Sequence, residues 1–168
     1  MLDLSVITAH RARSIRALCF YFMNISQGFE IEQPKVFVPW GITEKALLGL
    51  VKSSSLRHVT KGHFSLSCIS LGGLSHELSF HFMPRVDGKL KELELYLKGA
   101  QRQPLALTQS FKRLQRHVEA IFGPPTIVNP IRKSYQEYSY TWNLKGVRIE
   151  HHIRKRIWDA DVVRIIKD

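Results

Sequence analysis

Apolar and polar residues alternate most regularly in the middle of the chain. Leu74, His76, Leu78, Phe80 and Phe82 fall on one side of an extended segment, with Ser75, Glu77, Ser79 and His81 on the other. That two-residue period predicts a half-buried strand. Leu93, Leu95 and Leu97 alternate with Glu92, Glu94 and Tyr96 in the same way. Upstream, Phe64, Leu66 and Cys68 alternate until Ile69 and Leu71 shift the parity, which predicts a bulge. Gly72-Gly73 and Asp87-Gly88 supply tight turns between these segments. A shorter strand is predicted at Val36 and Val38, ended by Pro39.

Helical spacing interrupts this pattern in three places. Ile15, Leu18, Cys19 and Phe22 form an apolar stripe that Gly28 ends. Thr43 is a suitable N-cap for a helix through about Val51, with Glu44 in its first turn and Ala46, Leu47, Leu50 and Val51 as the buried face. Thr108 is the expected cap of a longer helix whose Phe111, Leu114, Val118, Ile121 and Phe122 line up; Gly123 and Pro124-Pro125 stop it. Tyr138, Tyr140, Trp142 and Leu144 then alternate with polar residues up to a turn at Gly146. Val147, Ile149, His151 and Ile153 continue as a strand, and Val162 to Ile166 as a last one.

Short turns favour antiparallel neighbours, because parallel ones need long crossovers. The expected fold class is therefore α+β: two helix-β-β-β units, residues 35–98 and 104–168, form one antiparallel sheet with the helices packed on one face. Residues 1–34 are expected as a separate N-terminal segment, helical or extended, whose processing stays open.

Trp40-Gly41-Ile42-Thr43 precedes the first of these helices, and Phe122-Gly123-Pro124-Pro125 closes the second. With these motifs the chain resembles tandem helix-plus-meander modules, typified by the β-lactamase-inhibitor protein and the small lipoprotein of the outer-membrane barrel-assembly machinery. Gly41 and Thr43 match the module's opening in the first half, and the Phe-Gly-Pro-Pro tail matches its closing in the second. The resemblance implies a non-catalytic binding scaffold whose exposed sheet face grips another protein.

Composition narrows the functional classes. The chain has 168 residues, 44% hydrophobic and 23% charged, which suits a globular domain and argues against a disordered tail or a fibre. Two cysteines, Cys19 and Cys68, supply neither a disulfide framework nor a four-ligand zinc site. The apolar run Ala17 to Met23 is far shorter than the ~20 residues needed to span a bilayer, so no integral span is expected. The expected compartment is the cytoplasm, with export left open.

Catalytic motifs are sparse. Gly72-Gly73 lacks the Lys and Ser/Thr of a phosphate loop, and no Gly-x-Ser-x-Gly elbow occurs. Cys19, inside Leu18-Cys19-Phe20-Tyr21, reads as a small buried hydrophobe and not as a nucleophile. His76, His81, His151 and His152 are the histidines to weigh as metal ligands, with His76 and His151 able to approach if their strands are adjacent. Adjacent His151 and His152 point to opposite faces and suit one ion poorly. Glu92 and Glu94 share a strand face and are expected to be solvated. No catalytic residue, metal or cofactor is assigned.

Charge is the stronger signal, at +11 overall. Alternation puts Arg148, His152, Arg154, Arg156 and Trp158 on one strand face, opposite Ile149, Ile153 and Ile157. Three guanidinium groups beside an indole suit an acidic protein surface, with Trp158 as the apolar anchor. The same face also suits nucleic acid, through phosphate neutralisation and base stacking. The expected function is thus a non-enzymatic module binding an acidic protein surface, with a nucleic-acid-binding accessory protein as the alternative. Lys112, Arg113 and Arg116 form a separate basic group on the longer helix. The oligomeric state stays open.

Overall fold

The computed structural model describes residues 25–52, 55–82, 87–97, 104–130, 138–155 and 159–168. In chain order these form β1 (Gly28–Gln33), β2 (Val36–Pro39), α1 (Glu44–Leu50), β3 (Leu56–Thr60), β4 (His63–Ser70), β5 (Leu74–Phe82) and β6 (Leu90–Tyr96). Then come α2 (Pro104–Phe122), β7 (Ile127–Pro130), β8 (Tyr138–Leu144), β9 (Val147–Lys155) and β10 (Asp159–Lys167). All ten strands belong to one sheet, ordered β2-β1-β4-β5-β6-β10-β9-β8-β7, with β3 paired to β4 off that path. Every pairing is antiparallel. The expected helix at Ile15–Phe22 lies outside the described residues.

This architecture corrects the expected pair of helix-β-β-β units with helices on one face. The sheet is a single ten-stranded layer, and four strands, not three, follow each helix. Only α2 lies across the strands, against β9 and β10; α1 contacts β2 near one edge. With seven residues, about 10 Å of helix, α1 is too short to cover a sheet. Of its expected buried face, Leu47 and Val51 are inside, while Ala46 and Leu50 are exposed.

Physical reasons for the extra strands are visible in their burial. β3 buries Leu56 alone and β7 buries nothing, so neither shows the alternation that a half-buried strand leaves in sequence. β1 does alternate, burying Phe29 and Ile31, and it carries residues of the expected N-terminal segment into the sheet. β1 and β3 share one edge of β4: β3 pairs its first half and β1 its last residues.

Elements that were legible form for the expected local reasons. Thr43 Oγ1 accepts the Ala46 amide at 3.3 Å and caps α1. Gly123, at φ 77°, ends α2, and its amide donates to the Glu119 carbonyl. Leu78, Phe80, Leu93, Leu95, Val163 and Ile165 form the middle of the core with Leu114 and Val118 of α2. Registers such as Leu78↔Leu95 and Val163↔Leu95 keep these side chains on one face across three strands.

Candidate functional site

The two-residue period of β9 sorts its side chains. Toward α2, His151 bonds Gln115 and Ile153 packs with Leu107 and Phe111. Arg148, His152 and Arg154 take the opposite face. Arg156 and Trp158 lie outside the described residues, so the structure brings together three of the five residues singled out by sequence.

The arginines on that face are already engaged. Arg154 reaches across β10 to β6, where its guanidinium pairs with both oxygens of Glu94, Nη2 to Oε2 at 3.0 Å. It also donates to the Tyr96 hydroxyl and lies over the Tyr96 ring at 5.7 Å. Arg164 on β10 holds Glu92 through two nitrogens, at 3.0 and 2.9 Å, and Glu150 at 3.1 Å. Arg148 meets Glu150 at 3.1 Å, and Arg57 meets Glu77 at 3.3 Å. Each described arginine on this face thus has a carboxylate partner. The forked Arg154–Glu94 and Arg164–Glu92 pairings are the strong, geometrically specific kind.

Glu94 is the hub. Its side chain is 2% exposed and also takes hydrogen bonds from His81, at 3.0 Å, and from the Tyr96 hydroxyl. Burial pushes its carboxyl upward, but His81, Tyr96 and Arg154 outweigh burial and hold it well below the usual carboxylate range. Burial and the bond to Glu94 raise the Tyr96 phenol in turn. Glu94 is therefore no solvated acid, contrary to expectation; long-range pairing with β9 and β10 overrides the polar look of its strand face. Burial also lowers the His152 imidazole, with Glu150 opposing it.

Ligand atoms of His81, Glu92 and Glu94 lie within 4.8 Å of one another. A cation of their own already occupies the two carboxylates: the guanidinium groups of Arg154 and Arg164. A metal ion would have to displace both. His63 stacks on His81 with ring centroids 4.4 Å apart, and burial followed by His81 lowers its imidazole to about 4.

The helix side holds a different polar cluster. His151, fully buried, lies between Gln115 Oε1 at 2.6 Å and Asp161 Oδ1 at 2.7 Å. Ser110 donates to the other Asp161 oxygen at 2.7 Å, and Phe111 stacks on the His151 ring at 4.1 Å. Serine, histidine and aspartate are all present, but serine and histidine both bond the aspartate. Activation of a nucleophile requires the histidine to bond the serine. The cluster fastens α2 to β9 and β10. Sequence reading missed it, although Ser110 and Gln115 on an apolar helix face and Asp161 in register with Val163 and Ile165 were its signal.

His76 and His151 do not meet, because β6 and β10 separate their strands, roughly 14 Å at the usual strand spacing. His76 instead bonds Ser70 Oγ at 2.6 Å beside Cys68 Sγ at 3.8 Å. Burial pushes the Cys68 thiol up to about 12, which makes it a poor nucleophile.

The architecture is that of a sheet protein with one helix laid across one face. No family model and no curated protein matches the chain. Among solved structures it is similar to a DUF4309 family protein, YjgB, from Bacillus subtilis subsp. subtilis str. 168. The two share 12% identity over 91% of this chain and 97% of that chain, with a TM-score of 0.43. Among the described residues, no helix is long and apolar enough to cross a membrane.

Proposed function

We propose that the protein is a non-enzymatic, cytoplasmic binding module that recognises an acidic protein surface. The observation that carries this reading is where the charge is balanced and where it is not. The chain carries +11, yet the polar sheet face sets Arg57, Arg148, Arg154 and Arg164 against Glu77, Glu92, Glu94 and Glu150. The cationic excess therefore resides outside that network, free to attract an acidic partner at long range. Of the β9 residues expected to bind the partner, Arg148 is held by Glu150 although its side chain is 44% exposed, and Arg156 and Trp158 lie outside the described residues. Arg154 serves the network instead.

Fluorescence anisotropy tests this with two labelled probes of equal charge, a polyglutamate peptide and a DNA duplex, across a salt series. Binding of polyglutamate at low and moderate salt is expected. Tight duplex binding with a steep salt slope and no peptide binding would replace this reading with nucleic-acid recognition.

A further inference from the structure

We infer that the acidic partner docks on the outer face of α2, through Lys112, Arg113 and Arg116, and not on β9; this rests on the reading just proposed. All three residues are exposed, and among the described residues none meets a carboxylate within salt-bridge distance. The contact recorded for Arg116 is its own Nε donating to the Lys112 carbonyl at 3.2 Å. In this they differ from the arginines of the polar sheet face.

Their presentation is fixed from beneath. The opposite side of α2 is anchored by Leu114 and Val118 in the core and by the hydrogen bonds Ser110–Asp161 and Gln115–His151. Apolar contacts alone tolerate some rotation of a helix about its axis, whereas buried hydrogen bonds accept one orientation. With residues 110, 111, 114, 115 and 118 facing the sheet, positions 112, 113 and 116 must face outward. The three cations lie within little more than one helical turn, on a frame that cannot roll away.

Charge complementarity selects an acidic occupant. An acidic protein segment is favoured over nucleic acid because Phe111, the aromatic within this stretch, is buried and stacked on His151, leaving no ring on the outer face to receive a base. Three cations in one turn also suit a short run of carboxylates better than a phosphate backbone, which needs many contacts.

The test compares three variants of the full chain with polyglutamate as probe. The first is Lys112→Glu, Arg113→Glu, Arg116→Glu. The second, Lys45→Glu, Lys52→Glu, Lys61→Glu, changes net charge equally at other exposed sites. The third is Arg148→Glu. Loss of about tenfold or more in affinity for the first, with about twofold or less for the others, is expected. The neutral set Lys112→Gln, Arg113→Gln, Arg116→Gln, checked for an unchanged far-ultraviolet spectrum, should also weaken binding and guards against misfolding of the first.

Equal losses in the first two variants would reduce the patch to bulk charge and overturn the inference. Loss confined to Arg148→Glu would return the site to β9 and leave the proposed function standing. Failure of the unaltered chain to bind polyglutamate, or binding of the duplex alone, would remove both.

Discussion

The two faces of the sheet solve the same problem with opposite chemistry. Beneath α2 the strands present Leu78, Phe80, Leu93, Val163 and Ile165, and cohesion comes from apolar packing with buried polar clusters around His151 and His76. On the other face they present Glu, Arg, Tyr and His, and cohesion comes from cross-strand ion pairs centred on Glu94. Arginine on a strand is therefore not by itself a binding signal here. The guanidinium of Arg154 ties β9 to β6, two strands away, whereas Arg113 and Arg116 of α2 meet no carboxylate among the described residues.

Removing the hub should show the largest effect. Glu94→Ala leaves Arg154, His81 and Tyr96 without their common partner and is expected to cost about 4 kcal/mol in urea unfolding. Combining Glu94→Leu with Arg154→Met should recover most of that loss, because neither charge is then left buried alone. A cost below about 1 kcal/mol for the single change would mean that water replaces the network easily and that the face is not cohesive.

On the apolar side, Leu114→Ala is expected to destabilise by about 3 kcal/mol, since its fully buried side chain leaves a cavity under α2. A change within a few tenths would show that α2 is not fastened to the sheet.

Acid should weaken both faces through histidines held neutral. Burial, ahead of all other influences, lowers His76 from 6.5 to about 4, and His63 on the polar face is lowered likewise. Between those values the unfolded chain binds protons that the folded chain refuses. Stability is thus full above about 6.5 and falls as pH drops toward 4, on the order of 3 kcal/mol for His76. His76→Asn should flatten part of that slope in denaturation curves measured through the window; an unchanged slope would shift the cause to other groups.

Smallest of all should be Glu32→Gln, at about 1 kcal/mol. Glu32 lies outside both networks and accepts the amides of Gly72 and Gly73 at 2.6 and 3.0 Å, fastening β1 to the β4–β5 turn. Gly72 and Gly73 there take φ of 73° and 92°. A larger loss would show that the β1 edge, and not either face, limits stability.

Local pattern was enough to recognise β5, β6, β8, β9 and most of α2, because each keeps its apolar residues to one side and that period is written in the chain. It failed at β3 and β7, whose exposed residues carry no such period; α1 and its Thr43 cap were placed correctly, but Ala46 and Leu50 of its expected buried face turn to water. For the site, alternation correctly grouped Arg148, His152 and Arg154. It misplaced Glu94 as solvated, because a carboxylate on a strand reads as solvated until a guanidinium arrives from another strand.

The sequence by itself determined strand polarity, turn positions, the apolar face of α2 and the net positive charge. The first three depend on neighbours a few residues apart, and the charge is a sum over the chain. Tertiary structure alone decided that one layer of ten strands forms, that His76 and His151 stay apart, and that the β9 arginines are neutralised while those of α2 meet no carboxylate among the described residues. Those outcomes rest on pairings such as Glu94 with Arg154, sixty residues apart, and electrostatic energy follows distance in space, not along the chain.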